Sequence, residues 1–416
     1  MQFVSGFTCV SCGQSVGSLP VGYTCPVCGG VLDVKYDYDS IASSVSHATL
    51  RADPEISIWR YEPFLPVDPG SPRPRLRVGG TPLYSSEALA SELGLASVLV
   101  KDDGMNPTAS LKDRASAVAV ARAMEAGATT ISCSSTGNAA SSLAGSAASV
   151  GMRAVIFVPE RAPAGKIAQL LIFGAVVVRV EGSYEDAFNL SSEAIRVYGW
   201  YNRNAAINPY MLEGKKTVSF EICEQMGFDV PDWVAVSVGD GCTVAGVWKG
   251  FREFHKVGLI SRTPRILGVQ AEGSNPISTA FRTGRRVEPG REDTIADSIA
   301  VAVPRNPDKA LAAIRESGGT MVDVSDEEIL DAMRLLGRTA GVFGEPAGVA
   351  GLAGLRRSVR SGVVDPTSRA CVIVTGNGLK DIVSGARAAG EPITIPPDLA
   401  LLDRKLAAVA PFAIST

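Results

Sequence analysis

Lys112 stands in the stretch Asn106-Pro107-Thr108-Ala109-Ser110-Leu111-Lys112-Asp113-Arg114, between an apolar run, Val98-Leu99-Val100, and an Ala-rich helical pattern. Ser110 followed three residues later by Asp113 has the form of a capping box, which predicts a helix from about Leu111 with Lys112 in its first turn. The helix macrodipole is positive there, so a cation is disfavoured and its pKa falls. A neutral amine is what Schiff-base chemistry requires. Lys112 is therefore read as a candidate covalent anchor, against the ordinary reading of a solvated helix lysine.

A second constellation is Cys9-x-x-Cys12 and Cys25-x-x-Cys28, with twelve residues between the pairs and a glycine after Cys12 and after Cys28. Two tight turns at this spacing can present four thiolates to a tetrahedral Zn²⁺. Two disulfides are the alternative, disfavoured by a reducing compartment. A Cys₄ set leaves no open ligand position, so such a zinc is structural. Lys35 lies among Asp33, Asp37 and Asp39, the wrong sign for a phosphate backbone.

Composition narrows what these residues can serve. The chain has 416 residues, 46% hydrophobic and 20% charged, with a net charge of −3, which fits a soluble protein of two or three domains without nucleic-acid partners. The sequence has no apolar run of about 18 residues, and Met-Gln-Phe-Val-Ser-Gly is not a secretory pattern; no membrane contact and a cytoplasmic location are expected. Only His47 and His255 occur, which leaves little room for a histidine triad or an H-E-x-x-H site.

The elements that must position Lys112 follow from periodicity. Strands are predicted at 97–101, 129–133, 154–158, 176–180, 233–238, 266–270 and 371–374, and helices at 111–125, 139–150, 183–198 and 244–255. Alternation of the two types implies doubly wound parallel sheets in two α/β lobes with a cleft between them. Pro63, Pro66, Pro69, Pro72 and Pro74 mark 43–80 as an extended linker that wraps another part of the chain without forming a core.

Ligands of such folds bind beyond the carboxyl ends of strands. Three loops there carry chemistry. Ser134-Ser135-Thr136-Gly137-Asn138-Ala139 offers donors to a carboxylate, or simply caps a helix. Gly239-Asp240-Gly241-Cys242-Thr243 lets backbone close on a phosphate at a helix N-terminus; Val244 breaks the dinucleotide fingerprint, and the Asp240 carboxylate is expected to point away. Thr375-Gly376-Asn377-Gly378-Leu379-Lys380-Asp381 places a hydroxyl where it could meet a heterocycle nitrogen, or forms a plain glycine turn. A lysine, a carboxylate loop, a phosphate cradle and a strand-end hydroxyl together suggest pyridoxal phosphate. Glu345-Pro346 is read as capping a helix in preference to lining the cleft.

These motifs, with Lys101-Asp102-Asp103-Gly104-Met105-Asn106-Pro107-Thr108, Asn208-Pro209-Tyr210, Glu213-Gly214 and Glu345-Pro346-Ala347, resemble the threonine synthase family over nearly the whole chain. The resemblance implies a tryptophan synthase β-like fold (fold type II of the pyridoxal-phosphate enzymes) with an N-terminal zinc ribbon. It implies a ribbon at 1–40, a large domain from 41–95 and 216–416, a small domain at 96–215, and a homodimer. By the same resemblance Lys112 is the Schiff-base lysine, and Asn138 lies beside the cofactor's 3′-oxygen. Ser135, Thr136, Gly137 and Asn138 hold the substrate carboxylate. Gly239, Asp240, Gly241, Cys242 and Thr243 cradle the cofactor phosphate, and Thr375 meets the pyridine nitrogen, a pairing that suits elimination and replacement.

The chain departs from that family where the substrate phosphate of O-phosphohomoserine is held. Ala139, Ala205, Ala206 and Met211 stand where polar or cationic residues are usual; Lys215, Lys216 or Arg161 could compensate. Gly is usual at Ala109 and Asn at Asp240. The expected activity is elimination or replacement at the β carbon of a small L-amino acid, with Lys112 moving the α-proton. The alternatives are threonine synthase itself and a non-catalytic amino-acid-binding regulator.

Overall fold

The computed structural model describes residues 1–20, 22–160, 162, 164–205 and 207–407, without the side chains of 164, 165, 184 and 407. Its strands in chain order are β1 (Val4–Cys9), β2 (Ser15–Val16), β3 (Leu32–Tyr36), β4 (Leu83–Ser85), β5 (Ser97–Asp102), β6 (Thr130–Ser134), β7 (Arg153–Pro159), β8 (Val176–Val180), β9 (Tyr201–Asn202), β10 (Trp233–Ser237), β11 (Arg265–Ala271), β12 (Thr320–Val324) and β13 (Arg369–Val374). They form a small antiparallel sheet β2-β1-β3, a six-stranded sheet β12-β11-β10-β13-β5-β4 and a four-stranded sheet β8-β7-β6-β9. The two larger sheets are parallel except for β4.

Sheets buried on both faces need apolar strands, and β10 and β13 have them. Along β10, Val234 and Val236 enter one hydrophobic cluster while Trp233 and Ala235 enter another on the opposite face. Each of the seven predicted strands is present within two residues at either end. The predicted large and small domains need one correction: β5 lies between β13 and β4, so Ser97–Asp102 belongs to the six-stranded sheet and not to a small domain starting at 96. The proline-rich stretch also differs from expectation. It does wrap the protein, but its 3₁₀ turn Ile58–Phe64 buries Ile58, Trp59, Tyr61 and Phe64, and Phe64 packs against Phe220 and Phe254 at ring distances of 5.0 and 5.3 Å.

The N-terminal module docks through charge. Lys249 Nζ donates to the Val34 carbonyl (2.8 Å) and lies 3.2 Å from Asp33, and Lys309 Nζ donates to the Leu32 carbonyl (2.8 Å). Tyr36 Oη donates to Glu213, 2.8 Å away and fully buried.

Around Lys112 the fold is tied by a buried ion cluster. Arg114, on the helix Lys112–Glu125, donates two bonds to Asp103 just after β5 (2.7 and 2.8 Å) and two to Glu221 on the helix Thr217–Gln225 (2.5 and 2.8 Å). Lys101 adds a bond to Glu221 at 2.7 Å. Burial alone would raise the Glu221 carboxyl, yet Arg114 and Lys101 hold it well below the usual carboxylate range. Breaking one partner of a buried cluster leaves uncompensated charge, so Glu221→Gln should lose about 3–5 kcal/mol, read as a lower urea midpoint. Because the folded pKa is depressed, the cluster's stabilisation is present above the unfolded carboxylate pKa of about 4.3 and is lost as pH falls through the folded value. The mutant should therefore show a weaker acid dependence of stability.

Candidate active site

A cavity of about 580 Å³ opens at the carboxyl ends of β6, β10 and β13, and every residue expected at a cofactor or substrate site lines it: Lys112, Ser135, Thr136, Gly137, Asn138, Gly239, Asp240, Gly241, Cys242, Thr243 and Thr375. Lys112 is the first residue of its helix, but the capping box expected of Ser110 and Asp113 is absent. The Asp113 carboxylate instead accepts from the Thr108 amide (2.8 Å) and hydroxyl (2.6 Å), and the buried Ser110 hydroxyl has no partner. Asp113 closes the loop onto itself while leaving the helix start open to the cavity.

A backbone zipper fixes that loop against the β13 loop. Leu111 N–H donates to the Thr375 carbonyl (2.9 Å), and Asn377 N–H donates to the Ala109 carbonyl (3.0 Å). Ala109 adopts φ +67 to make this turn, a left-handed conformation strained for a residue with a Cβ. Lys112 and the Thr375 strand end are thus held on adjacent walls. Burial lowers the Lys112 amine to about 8, Lys215 pushes the same way, and Glu345 opposes. The direction agrees with the expectation from the helix dipole, but burial is the larger cause.

The other two loops are equally specific. The helix Asn138–Ala148 begins at Gly137 with no side-chain cap, so Ser135 and Thr136 are not consumed in capping. The Ser135 hydroxyl accepts from Gly137 N–H at 3.2 Å. Asn138 Nδ2 donates to Glu345 at 2.6 Å. Glu345 lines the cavity and its side chain does not cap the helix Pro346–Arg360, contrary to the reading from sequence. In the glycine loop, a Cβ on Gly241 (φ +93) would stand 2.4 Å from the Asn306 carbonyl oxygen, and one on Gly239 would stand 2.9 Å from Ile299 Cα. Bare backbone is required there, at the unbonded N–H groups of the helix Cys242–Lys256. Asp240, whose carboxylate is expected from sequence to point away, lines the cavity, and its carboxylate accepts from Arg305 N–H at 2.6 Å.

Sequence reasoning missed Arg203 and Asn204, which also line the cavity. They follow β9, two residues long and too short to leave a periodic signal. Arg203 is 1% exposed, and among the described residues its guanidinium bonds hydroxyls, those of Ser116 (3.1 and 3.0 Å) and Ser142 (3.5 Å). Of the departures from the family pattern, Ala139 and Ala205 line the cavity, whereas Met211 is buried in the core. Ala206 and Arg161 lie outside the described residues. Lys216 is paired with Glu213 (2.6 Å) and Glu253 (2.7 Å), so it cannot compensate; Lys215 does face the cavity.

In the N-terminal module the sulfurs of Cys9, Cys12, Cys25 and Cys28 lie within 4.8 Å of one another, and none is in a disulfide. Matching turns present them: Gly13 N–H donates to the Cys9 carbonyl (3.0 Å) and Gly29 N–H to the Cys25 carbonyl (2.9 Å). Among the described residues no helix is long and apolar enough to cross a membrane.

Comparison with known proteins converges on the same chemistry. The profile of the family described as "Pyridoxal-phosphate dependent enzyme" matches residues 75–376. The chain is 42% identical over 401 residues to a threonine synthase of Methanocaldococcus jannaschii, covering 96% of this chain and 98% of that protein. It is 40% identical to a threonine synthase of Methanosarcina acetivorans, covering 94% and 96%. The structure of maize serine racemase shares the fold, with a TM-score of 0.62 at 24% identity over 79% of this chain and 92% of that one.

The lowered Lys112 pKa has a measurable sign. Neutral amine increases as pH rises, reaching half at about 8 where an ordinary lysine needs about 10.4. Uptake of pyridoxal phosphate by cofactor-free protein, followed by absorbance, should accelerate between about pH 7 and 9 and then level off. Lys112→Ala should abolish the absorbance change with the fold retained by circular dichroism.

Proposed function

The chain belongs to the threonine synthase family of pyridoxal-phosphate dependent enzymes, and from that premise we propose that it converts O-phospho-L-homoserine and water to L-threonine and inorganic phosphate. The observation that carries this reading is the end-to-end match to relatives named threonine synthase, which spans the N-terminal module as well as both larger sheets. A non-catalytic regulator, the remaining alternative from sequence, does not fit membership of an enzyme family.

The residues present suit the cofactor. Lys112 would hold it covalently, the Gly239–Thr243 backbone would take its phosphate, and Thr375 would meet its ring nitrogen. When bound, pyridoxal phosphate supplies an electron sink for the substrate α carbon. The chain supplies the rest. The Ser135–Asn138 loop binds the substrate carboxylate at a helix N-terminus, and the bond from Asn138 to Glu345 keeps the amide oriented. Lys112 Nζ, depressed towards neutrality, takes the α-proton and returns protons to the reacting carbons. Four cysteine sulfurs in tetrahedral reach support a structural Zn²⁺ in the N-terminal module. The exposed apolar side chains Leu379, Ile382 and Val383 support a homodimer.

A second reading, β-elimination or β-replacement on threonine or serine, is favoured by one observation: Ala139 and Ala205 make part of the cavity wall apolar. Two assays separate the readings. Release of inorganic phosphate from O-phospho-L-homoserine is expected for the first. Release of 2-oxo acid from threonine or serine, without phosphate release, would establish the second. Metal analysis of the purified protein should give about one zinc per chain, and a strong chelator should lower its Tm.

A further inference from the structure

The helix Tyr210–Lys215 ends in a lysine that, among the described residues, forms no ion pair. Lys215 is 2% exposed and its side chain lines the cavity. Among the described residues it has no hydrogen-bond or ion-pair partner, whereas the adjacent Lys216 is paired twice. A buried ammonium without a counter-charge is strongly unfavourable, so a ligand anion is the natural complement.

The surroundings sharpen which anion. Gly214 permits the helix to touch the helix Lys112–Glu125, since a Cβ there would lie 2.1 Å from the Arg114 carbonyl oxygen. On the other side Lys215 Cβ would stand 3.1 Å from a Cβ on Gly246. Lys215 is thus wedged between the helix that starts with Lys112 and the helix that starts at the glycine cradle. The acids nearest it form no ion pair with it: Asp240 accepts from Arg305 N–H and Glu345 from Asn138. The thiol of Cys242 is bonded to the Ala205 carbonyl and to Asn306. A second orphan donor sits close in sequence and on the same cavity. Asn204 Oδ1 accepts from Ser134 N–H at 3.1 Å, which fixes the amide, while its buried Nδ2 has no acceptor among the described residues.

We infer that Lys215 and Asn204 form the subsite for a phosphate monoester dianion carried on the side chain of the amino-acid substrate. The assignment rests on the reading that the substrate is phosphorylated. It makes Lys215 the cation that meets the substrate phosphate in a cavity where Ala139 and Ala205 present only methyl groups. The cofactor phosphate has its own place on the Gly239–Thr243 backbone and does not require Lys215.

The test uses the holoenzyme and the variants Lys215→Met and Lys215→Arg, with inorganic phosphate, O-phospho-L-homoserine and pyridoxal phosphate as probes. Inorganic phosphate should raise the Tm of the wild type and leave that of Lys215→Met unmoved, while Lys215→Met alone should melt higher than unliganded wild type. Its kcat/KM for O-phospho-L-homoserine should fall roughly 10- to 100-fold, as expected for removal of a charge-assisted bond, with partial rescue in Lys215→Arg and cofactor affinity within about twofold. Weakened cofactor binding with an unchanged kcat/KM would instead assign Lys215 to the cofactor phosphate and overturn the proposal. So would a phosphate-induced rise in Tm that survives the substitution. If wild type releases no phosphate from O-phospho-L-homoserine, the proposed function fails. The Tm response to inorganic phosphate still decides whether Lys215 is an anion site.

Discussion

The guanidinium of Arg114 is the fixed point of this structure. It lies fully buried between Asp103 and Glu221, and its four bonds to carboxylates bind the end of β5 and two helices into one body. Arginine suits this position because its rigid fork meets two carboxylates at once, where an ammonium would leave geometry undetermined. Lys112 is two residues away on the same helix. Its direction into the cavity is therefore set by an ion cluster whose own residues do not line the cavity.

From that anchor the site is assembled by pairing loops. The β13 loop is bonded to the Lys112 loop through backbone, and the β6 loop meets Glu345 through Asn138. The cavity wall carries charge of both signs. Lys112, Arg203 and Lys215 lie beside the β6 and β10 loops, while the wall's acids include Asp240, which accepts from Arg305 N–H, and Glu345, which accepts from Asn138. Burial and the nearby cations Lys215 and Arg203 lower the Lys112 amine together, which prepares the nucleophile.

Much of this was legible in the sequence because it depends on local pattern. Strand periods located β5 to β8, β10, β11 and β13, and glycines with hydroxyls at strand ends marked the three loops that meet in the cavity. Features that depend on distant partners were not legible. Ser110 and Asp113 have the spacing of a cap, but Thr108 and the β13 loop draw those residues away from the helix end. Glu345 looked like a cap because its partner, Asn138, is 207 residues away. Strand β5 looked like the first strand of the second lobe because its neighbour β13 lies at the far end of the chain. Arg203 followed a strand of two residues, below any periodic signal.

The docking of the N-terminal module has a consequence for how the chain is made. Its contacts with Lys249 and Lys309 span 216 and 277 residues, so during synthesis the module must wait for both lysines before it can dock fully. About forty residues bury too little surface to persist alone in that interval. A cross-link internal to the module, of the kind four clustered thiolates can make with one ion, would let it stay folded until its lysines arrive. Those lysines sit on the helices Cys242–Lys256 and Pro307–Glu316, whose first turns meet at the glycine cradle. The docking of the module and the shape of the cradle thus depend on the same two helices.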